Sequence, residues 1–259
     1  MKKKILSIAL VVAMIAIIAA GSFAYFTDTT DPKMNTFTVG NVNIDLDEPH
    51  WVENANHTLV PGASFAKDPT ITVGQDSQDA YVFLEMKLNK YNSLLWLMAA
   101  DASADKEIDF TIFNADGSVK ADFKNDKGQF STTKFVKALA EDNALRNQIV
   151  AKWFRGIEAS DWAVKFLDMG KVNANEFTIR FAYIGGDDIL SANESVTFME
   201  SFGMPASVTQ EMIDAGVTVG GQNSTFNSIN KTFHIGFTAY AIQAAEIDNV
   251  DAAYAALFN

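Results

Sequence analysis

His50, His57 and His234 are the side chains best suited to chemistry in this 259-residue sequence. His50 and His57 lie seven apart in a loop that also holds Glu48 and Glu53. Imidazole nitrogens with nearby carboxylates form the donor set of a divalent-metal site such as zinc. Asp45 and Asp47, at alternate positions of a strand end beside Glu48, add oxygens of the kind that hard cations such as calcium gather in numbers. The candidate metal ligands are therefore His50, His57, Asp45, Asp47 and Glu48. The sequence has no H-E-x-x-H, the spacing that sets two ligands and a general base on one helix face. Neither this cluster nor Asp187-Asp188 has the glycine-centred spacing of a calcium loop. A solvated loop and an acidic strand end account for the same residues, so no resident cofactor is expected. His234 falls on the face of its strand opposite the apolar one, which points it to solvent or an interface.

Other chemistries find less. Gly62-Ala-Ser64 has the first glycine and serine of a nucleophile elbow but lacks the closing glycine, and it follows Pro61 in a turn. No glycine loop suits a phosphate, and no carboxylate pair for glycoside hydrolysis can be picked out from spacing alone. Trp51, Trp96, Trp153 and Trp162 read as core anchors rather than a sugar platform, because three of them lie in apolar segments. The formal charge is −12, with 20 basic and 32 acidic residues. Such a balance repels phosphate backbones and excludes nucleic acid as a partner. It also lets copies pack closely only where salt or cations screen the charge.

The elements that must position these residues read as mainly β. Asn35–Leu46 alternates as a strand, with Gly40-Asn41 where the parity slips by one, the mark of a bulge. Ile71 and Val73 sit in a second strand within Phe65–Val73. Ala80–Asn89 is apolar at nearly every position and so central and covered. Trp162–Met169, Glu176–Tyr183, Val196–Phe202 and Thr232–Ile242 follow, the last with Phe233, Ile235, Phe237, Ala239 and Ala241 on one face. Between them, Tyr91–Ala102 is apolar without alternation. Ile108–Phe113 and Val119–Phe123 flank the turn Asn114–Gly117 as a hairpin, and Ser131-Thr132 caps a helix running to about Phe154. Ser207–Ala215 reads as a capped helical turn ended by Gly216, and Val250–Leu257 as a closing helix. The expected fold is a jelly roll or β-sandwich with helices in its connections. Residues 35–259 form one domain, with a helical and hairpin block inserted at about 91–160.

The first forty residues are ordered differently. Lys2, Lys3 and Lys4 precede an apolar run from Ile5 to Ala20 and then Gly21-Ser22-Phe23-Ala24. Charge, apolar run and small residues in that order make a secretory signal over residues 1–24, cleaved between Ala24 and Tyr25. A retained membrane anchor is the competing reading, since no charge falls between Ile5 and Thr27. With no cysteine in the sequence, no disulfide framework is available to the exported chain. Cleavage leaves 17 basic against 32 acidic residues. Residues 25–34 then form a tail or an edge strand ending near Pro32.

The lysines and apolar run, Gly21-Ser-Phe-Ala-Tyr-Phe-Thr-Asp28, Asn35-Thr-Phe-Thr-Val-Gly-Asn-Val42 and Asp45-Leu-Asp47 together resemble the TasA/camelysin family. Leu59-Val-Pro-Gly62 followed by Lys67, Tyr81-Val-Phe83, Leu190-Ser-Ala-Asn-Glu194 leading to Phe202 and Pro205, and Ala239-Tyr-Ala-Ile-Gln-Ala244 extend the likeness. Residues 91–160 match no motif of that family. The resemblance implies a jelly roll exported by a Gram-positive bacterium, with a SipW-type signal peptidase as processing partner. It implies a secreted or cell-surface protein of the biofilm matrix that assembles with copies of itself, and with accessory matrix proteins, into fibres. It also carries a second label, surface metalloendopeptidase; a monomeric surface adhesion or binding module is a third reading. In fibre assembly the donor strand is Tyr25–Lys33, with Tyr25, Phe26, Thr27 and Asp28 as joining residues; the same segment folding back on its own domain is the alternative.

Overall fold

The computed structural model describes residues 27–31, 34–36, 42–52, 57–89, 91–168, 176–219 and 234–259. The expected signal, Ala24, Tyr25, Phe26, Glu53 and the expected bulge at Gly40 lie outside the described residues. In chain order the strands are β1 (Thr27–Asp31), β2 (Met34–Thr36), β3 (Ile44–Asp47), β4 (Ser64–Ala66), β5 (Thr70–Val73) and β6 (Ala80–Asn89). They continue as β7 (Phe154–Arg155), β8 (Trp162–Asp168), β9 (Glu176–Tyr183), β10 (Ser195–Thr197), β11 (Ser201–Gly203) and β12 (Ile235–Gln243). The helices are α1 (Tyr91–Ala104), α2 (Thr132–Glu141), α3 (Asn143–Trp153), α4 (Gln210–Val219) and α5 (Val250–Phe258).

These strands make three antiparallel sheets, a six-stranded one ordered β2-β1-β12-β6-β9-β8 and two of three strands, β10-β5-β3 and β4-β11-β7. Helix is nearly as abundant as strand, so the mainly β expectation becomes a mixed fold, with its helices in the connections as the sequence indicates. β6 is buried on both faces, as its unbroken apolar run requires, and pairs along its whole length with β12. Its even-numbered residues Val82, Leu84, Met86 and Leu88 face the main core with Ile44, Ile71 and Val73 of the neighbouring sheet. Tyr81 and Phe83 point the other way, where α5 covers them with Val250, Ala253, Tyr254 and Phe258.

Several local expectations change. The single helix from Ser131 to Phe154 is two helices. Ser131 does cap α2, accepting from the Lys134 amide, but Asp142 then turns extended and caps α3 by accepting from the Leu145 amide at 2.9 Å. A carboxylate that serves the next helix start breaks the run at no cost in exposed amides. Val196–Phe202 is not one strand but β10 and β11, which belong to different sheets. The hairpin flanks shrink to a single bridge, Phe113 with Val119, repeated eleven residues on by Lys124 with Phe130. Each bridged turn opens on an asparagine, and Gly117 and Gly128 take φ of +80° and +74° in them. Helix α4 runs through Gly216 to Val219, and Thr209 rather than Ser207 accepts from the Met212 amide at its start. One helix-interior glycine costs only about 1 kcal/mol, which packing of α4 on α1 offsets.

The inserted block is built on α1. Every residue from Leu94 to Ala102 is buried, Asp101 included, because the helix is apolar all round and α2, α3 and α4 surround it. The Asp101 carboxylate takes a hydrogen bond from the Ser207 hydroxyl, and Lys152 bridges to Asp105 just past the end of the helix. Trp96 donates through Nε1 to the Met212 carbonyl at 2.8 Å and meets Phe113 and Phe130 edge-on.

Candidate functional site: the 48–68 loop cluster and the β1 edge

The loop after β3 carries both loop histidines, and the structure gives each a separate partner. His50 Nδ1 sits 2.6 Å from Asp68 Oδ2, and the His50 amide donates to the other oxygen of Asp68 at 3.2 Å. A carboxylate only accepts, so the ring proton is on Nδ1. The His57 ring lies flat on Trp51, with centroids 3.9 Å apart and planes 13° apart, and meets Phe65 edge-on. Lys67, buried between the strands, reaches Glu48 at 2.8 Å and places its ammonium 4.3 Å above the Trp51 ring. Asp68, equally buried, closes the group from the adjacent position.

The result is an interlocked patch. Lys67 and Asp68 reach up from the β4–β5 connection and hold Glu48 and His50, while Trp51 is clamped between an ammonium and an imidazole. Glu48 and Lys67, along with Trp51, anchor the loop that follows β3. Sequence reasoning singled out His50, His57 and Glu48 but missed Asp68, and Lys67 entered only through the family likeness. Both act across the fold, and no local spacing signals them.

The predicted metal ligands do not converge. Asp45 and Asp47 stand on β3 opposite Thr72 and Thr70, and Asp47 accepts the Glu48 amide at 2.8 Å. Among the described residues, no group of three or more His, Cys, Asp or Glu side chains is placed to hold a metal ion. His50 has its Nδ1 committed to Asp68, and His57 presents a ring face to Trp51 rather than a lone pair to a shared centre. These residues do not fit a zinc site. His234 is exposed, and its amide donates to Asn89 Oδ1 at 2.8 Å. Ser64, the rejected elbow serine, receives a hydrogen bond from the Arg155 guanidinium at 2.5 Å at the edge of β4.

Two motifs far apart in the sequence meet beside this patch. The turn at Pro61-Gly62 bonds to the segment before Pro205, the Gly62 amide donating to the Met204 carbonyl at 2.9 Å. Phe65 of β4 pairs with Phe202 of β11, and the Lys67 amide donates to the Glu200 carbonyl at 3.1 Å. Phe202 on β11 and the Gly62 and Lys67 positions flanking β4, which carry the family likeness on either side of the inserted block, thus meet at one small sheet. A sequence model described as Camelysin metallo-endopeptidase matches residues 1–187. The chain belongs to the camelysin family. No curated protein and no solved structure matches the chain. The camelysin match runs through the inserted block as far as the turn after β9, and β10 to α5 lie beyond it. No helix among the described residues is long and apolar enough to cross a membrane.

The second feature of this camelysin relative is the position of β1. It lies between β12 and the three-residue β2, with Thr27 opposite Ile242, Asp28 opposite Ala241 and Thr29 opposite Tyr240. Thr27 and Asp28, expected to be joining residues, therefore occupy a place in the sheet beside a strand whose other partner among the described residues is β6.

Proposed function

We propose that this camelysin-family protein is a secreted or cell-surface matrix protein that assembles into fibres by exchanging its N-terminal strand between copies. The observation that carries the reading is the seat of β1 on β12. A five-residue strand, polar in sequence and close to the N-terminus expected after cleavage, completes the β12 edge by antiparallel pairing, Thr27 to Ile242 through Thr29 to Tyr240. Such a strand can be supplied by the same copy or by a neighbour at similar energy, and supply from a neighbour is head-to-tail and does not close on itself. Tyr25, Phe26, Thr27 and Asp28 are the joining residues on this reading. A SipW-type signal peptidase exposes them by cutting between Ala24 and Tyr25, and accessory matrix proteins are further partners. The jelly roll implied by the family stays part of this reading, supported by β3 of a small sheet lying near β1 and β12 of the large one. A Gram-positive origin belongs to it as well.

Deleting residues 25–33 from the chain beginning at Tyr25 is expected to abolish filaments seen by electron microscopy while leaving the circular dichroism spectrum largely intact. Unchanged filaments would show that strand exchange is not the joining step. The family's name attaches an endopeptidase activity to its members. His50, held on Asp68, is the one histidine of the patch with an exposed ring, so chelator-sensitive casein cleavage lost in His50→Ala would replace the structural reading with a catalytic one.

A further inference from the structure

The charges of this chain are sorted by place. Residues 118–140 hold five lysines, Lys120, Lys124, Lys127, Lys134 and Lys137, against two aspartates, whereas the rest of residues 25–259 hold 12 basic and 30 acidic side chains. Elsewhere among the described residues Lys67 pairs with Glu48, Lys152 with Asp105, Lys165 with Asp251, and Arg180 and Lys87 with Glu85. Lys106, Arg146 and Arg155 form no ion pair with a described carboxylate but are not gathered in one segment. Lys120, Lys124, Lys127 and Lys134 form no ion pair with a described carboxylate, and Lys137 has only its helix neighbour Glu141 at 3.6 Å. Lysines gathered in one segment make a local positive surface on an otherwise acidic chain.

That surface has a definite place. On α2, Phe135, Val136 and Leu139 are buried, while Lys134 and Lys137 are exposed on the opposite side. Lys120 and Lys124 flank a 3-10 turn, Ala121–Phe123, that packs on α2, and Lys127 is exposed at the tip of the second bridged turn. The Thr132 hydroxyl donates to Asn92 Oδ1 at 3.0 Å, which ties the start of α2 to the start of α1, just past the Asn89 end of β6.

A carboxylate rim gathers at the other end of β6. The Tyr81 hydroxyl donates to the Ile247 carbonyl at 3.2 Å, next to Asp248. Burial and then the charges of Asp188, Asp248 and Asp187 push the phenol above its ordinary pKa. Tyr183 is raised in the same way, by burial and by Asp161, Glu194, Asp187 and Asp188. The Ala244 amide on Asp79, and the Ala80–Leu190 bridge, hold this rim at the first residue of β6. Ten strand residues span about 33 Å, several times the roughly 8 Å over which charges act at physiological salt. The lysine face and the rim of one copy therefore cannot neutralise each other.

We propose that the lysine face of residues 118–140 docks against the Asp161, Asp187, Asp188, Glu194 and Asp248 rim of a second copy of this chain. A face at one end and its complement at the other make a heterologous, head-to-tail contact that propagates. The partner is a copy rather than a polyphosphate because exposed Asp122 and Asp126 interrupt the lysines, which suits a protein surface of mixed polarity better than a dense polyanion. β1 starts opposite Ile242, at the rim end of β12, so the contact adds to strand exchange and sets which way the neighbour lies. It rests on different residues from that exchange. It also has the opposite salt dependence, because salt relieves overall repulsion but weakens this pairing, so the two readings fail separately.

The test is sedimentation velocity on residues 25–259 at low fixed salt. Lys134→Glu with Lys137→Glu is expected to weaken self-association by about tenfold or more, as for removal of close interfacial charges. Lys106→Glu with Arg146→Glu makes the same change in net charge outside the face and is expected to have a much smaller effect. Asp187→Lys with Asp248→Lys weakens association as well, and mixing this variant with the lysine-reversed one is expected to restore it. A wild-type chain that stays monomeric overturns the proposal. So do equal effects of the two glutamate pairs, failure of the mixture to recover, or binding of the lysine face to polyphosphate with no association between copies.

Discussion

Arg180→Ala is expected to lower the unfolding free energy by about 3–5 kcal/mol, the range for stripping one partner from a buried ion pair. Glu85 is 4% exposed in the middle of β6, and Arg180, its cross-strand neighbour on β9, reaches it at 2.6 Å. The guanidinium also lies between two rings, 4.6 Å from Phe166 and 4.4 Å from Phe258. Alanine removes the charge that makes Glu85 tolerable there and the flat surface on which the last turn of α5 rests. Lys87, half-exposed and 3.3 Å away, is too well solvated to replace it. Arg180→Met combined with Glu85→Leu is expected to recover most of the loss, since a packed apolar pair needs no desolvation of charge. Urea unfolding followed by tryptophan fluorescence reads both. A single-variant loss below about 1 kcal/mol would mean that the pair contributes geometry but not stability.

Phe198→Ala is expected to cost about 3–5 kcal/mol through lost burial and the cavity left behind. Phe198 is fully buried between β10 and β11, its amide bonded to the Pro69 carbonyl at 2.9 Å. Its ring meets Trp162 at 5.3 Å, Phe181 at 4.6 Å and Phe237 at 6.0 Å, one residue from each of β8, β9 and β12. This one side chain therefore fixes the crossing between the two small sheets to the large one. At roughly 2–4 °C per kcal/mol for a domain of this size, the melting temperature should fall by about 6–20 °C. Phe198→Leu, which keeps most of the volume, should cost well under half as much. Equal costs for the two would show that ring geometry rather than cavity volume sets the energy.

What the sequence disclosed depended on whether the cause was local. β6, β8, β9, β12 and α5 stand within a residue or a few of their expected places, because their periodicity and length are local properties. The Ser131 cap was legible for the same reason, and the break at Asp142 was not, since the apolar spacing of α2 carries on through α3. Val196–Phe202 reads as one strand until Pro69 and Arg155 are seen to bond Phe198 and Glu200, which pulls its halves into different sheets. In the loop cluster, His50, His57 and Glu48 were visible as residue types of the right chemistry. Their partners were not, because Lys67 and Asp68 come from another strand connection and decide that the histidines are held rather than offered. The lysine face was hidden in the sequence by its two aspartates, and it became a surface only when α2 placed Lys134 and Lys137 on one side.

The place of β12 bears on when folding can happen. The strand begins at Ile235, yet it joins β1 to β6: Tyr240 lies opposite both Thr29 and Phe83. The six-stranded sheet has no centre until nearly the whole chain is present, and its pairings span most of the sequence. Chains dominated by such distant contacts fold slowly. A polypeptide emerging from its N-terminus thus stays threadable until β12 arrives, as passage through a narrow channel would need if the chain is exported as proposed.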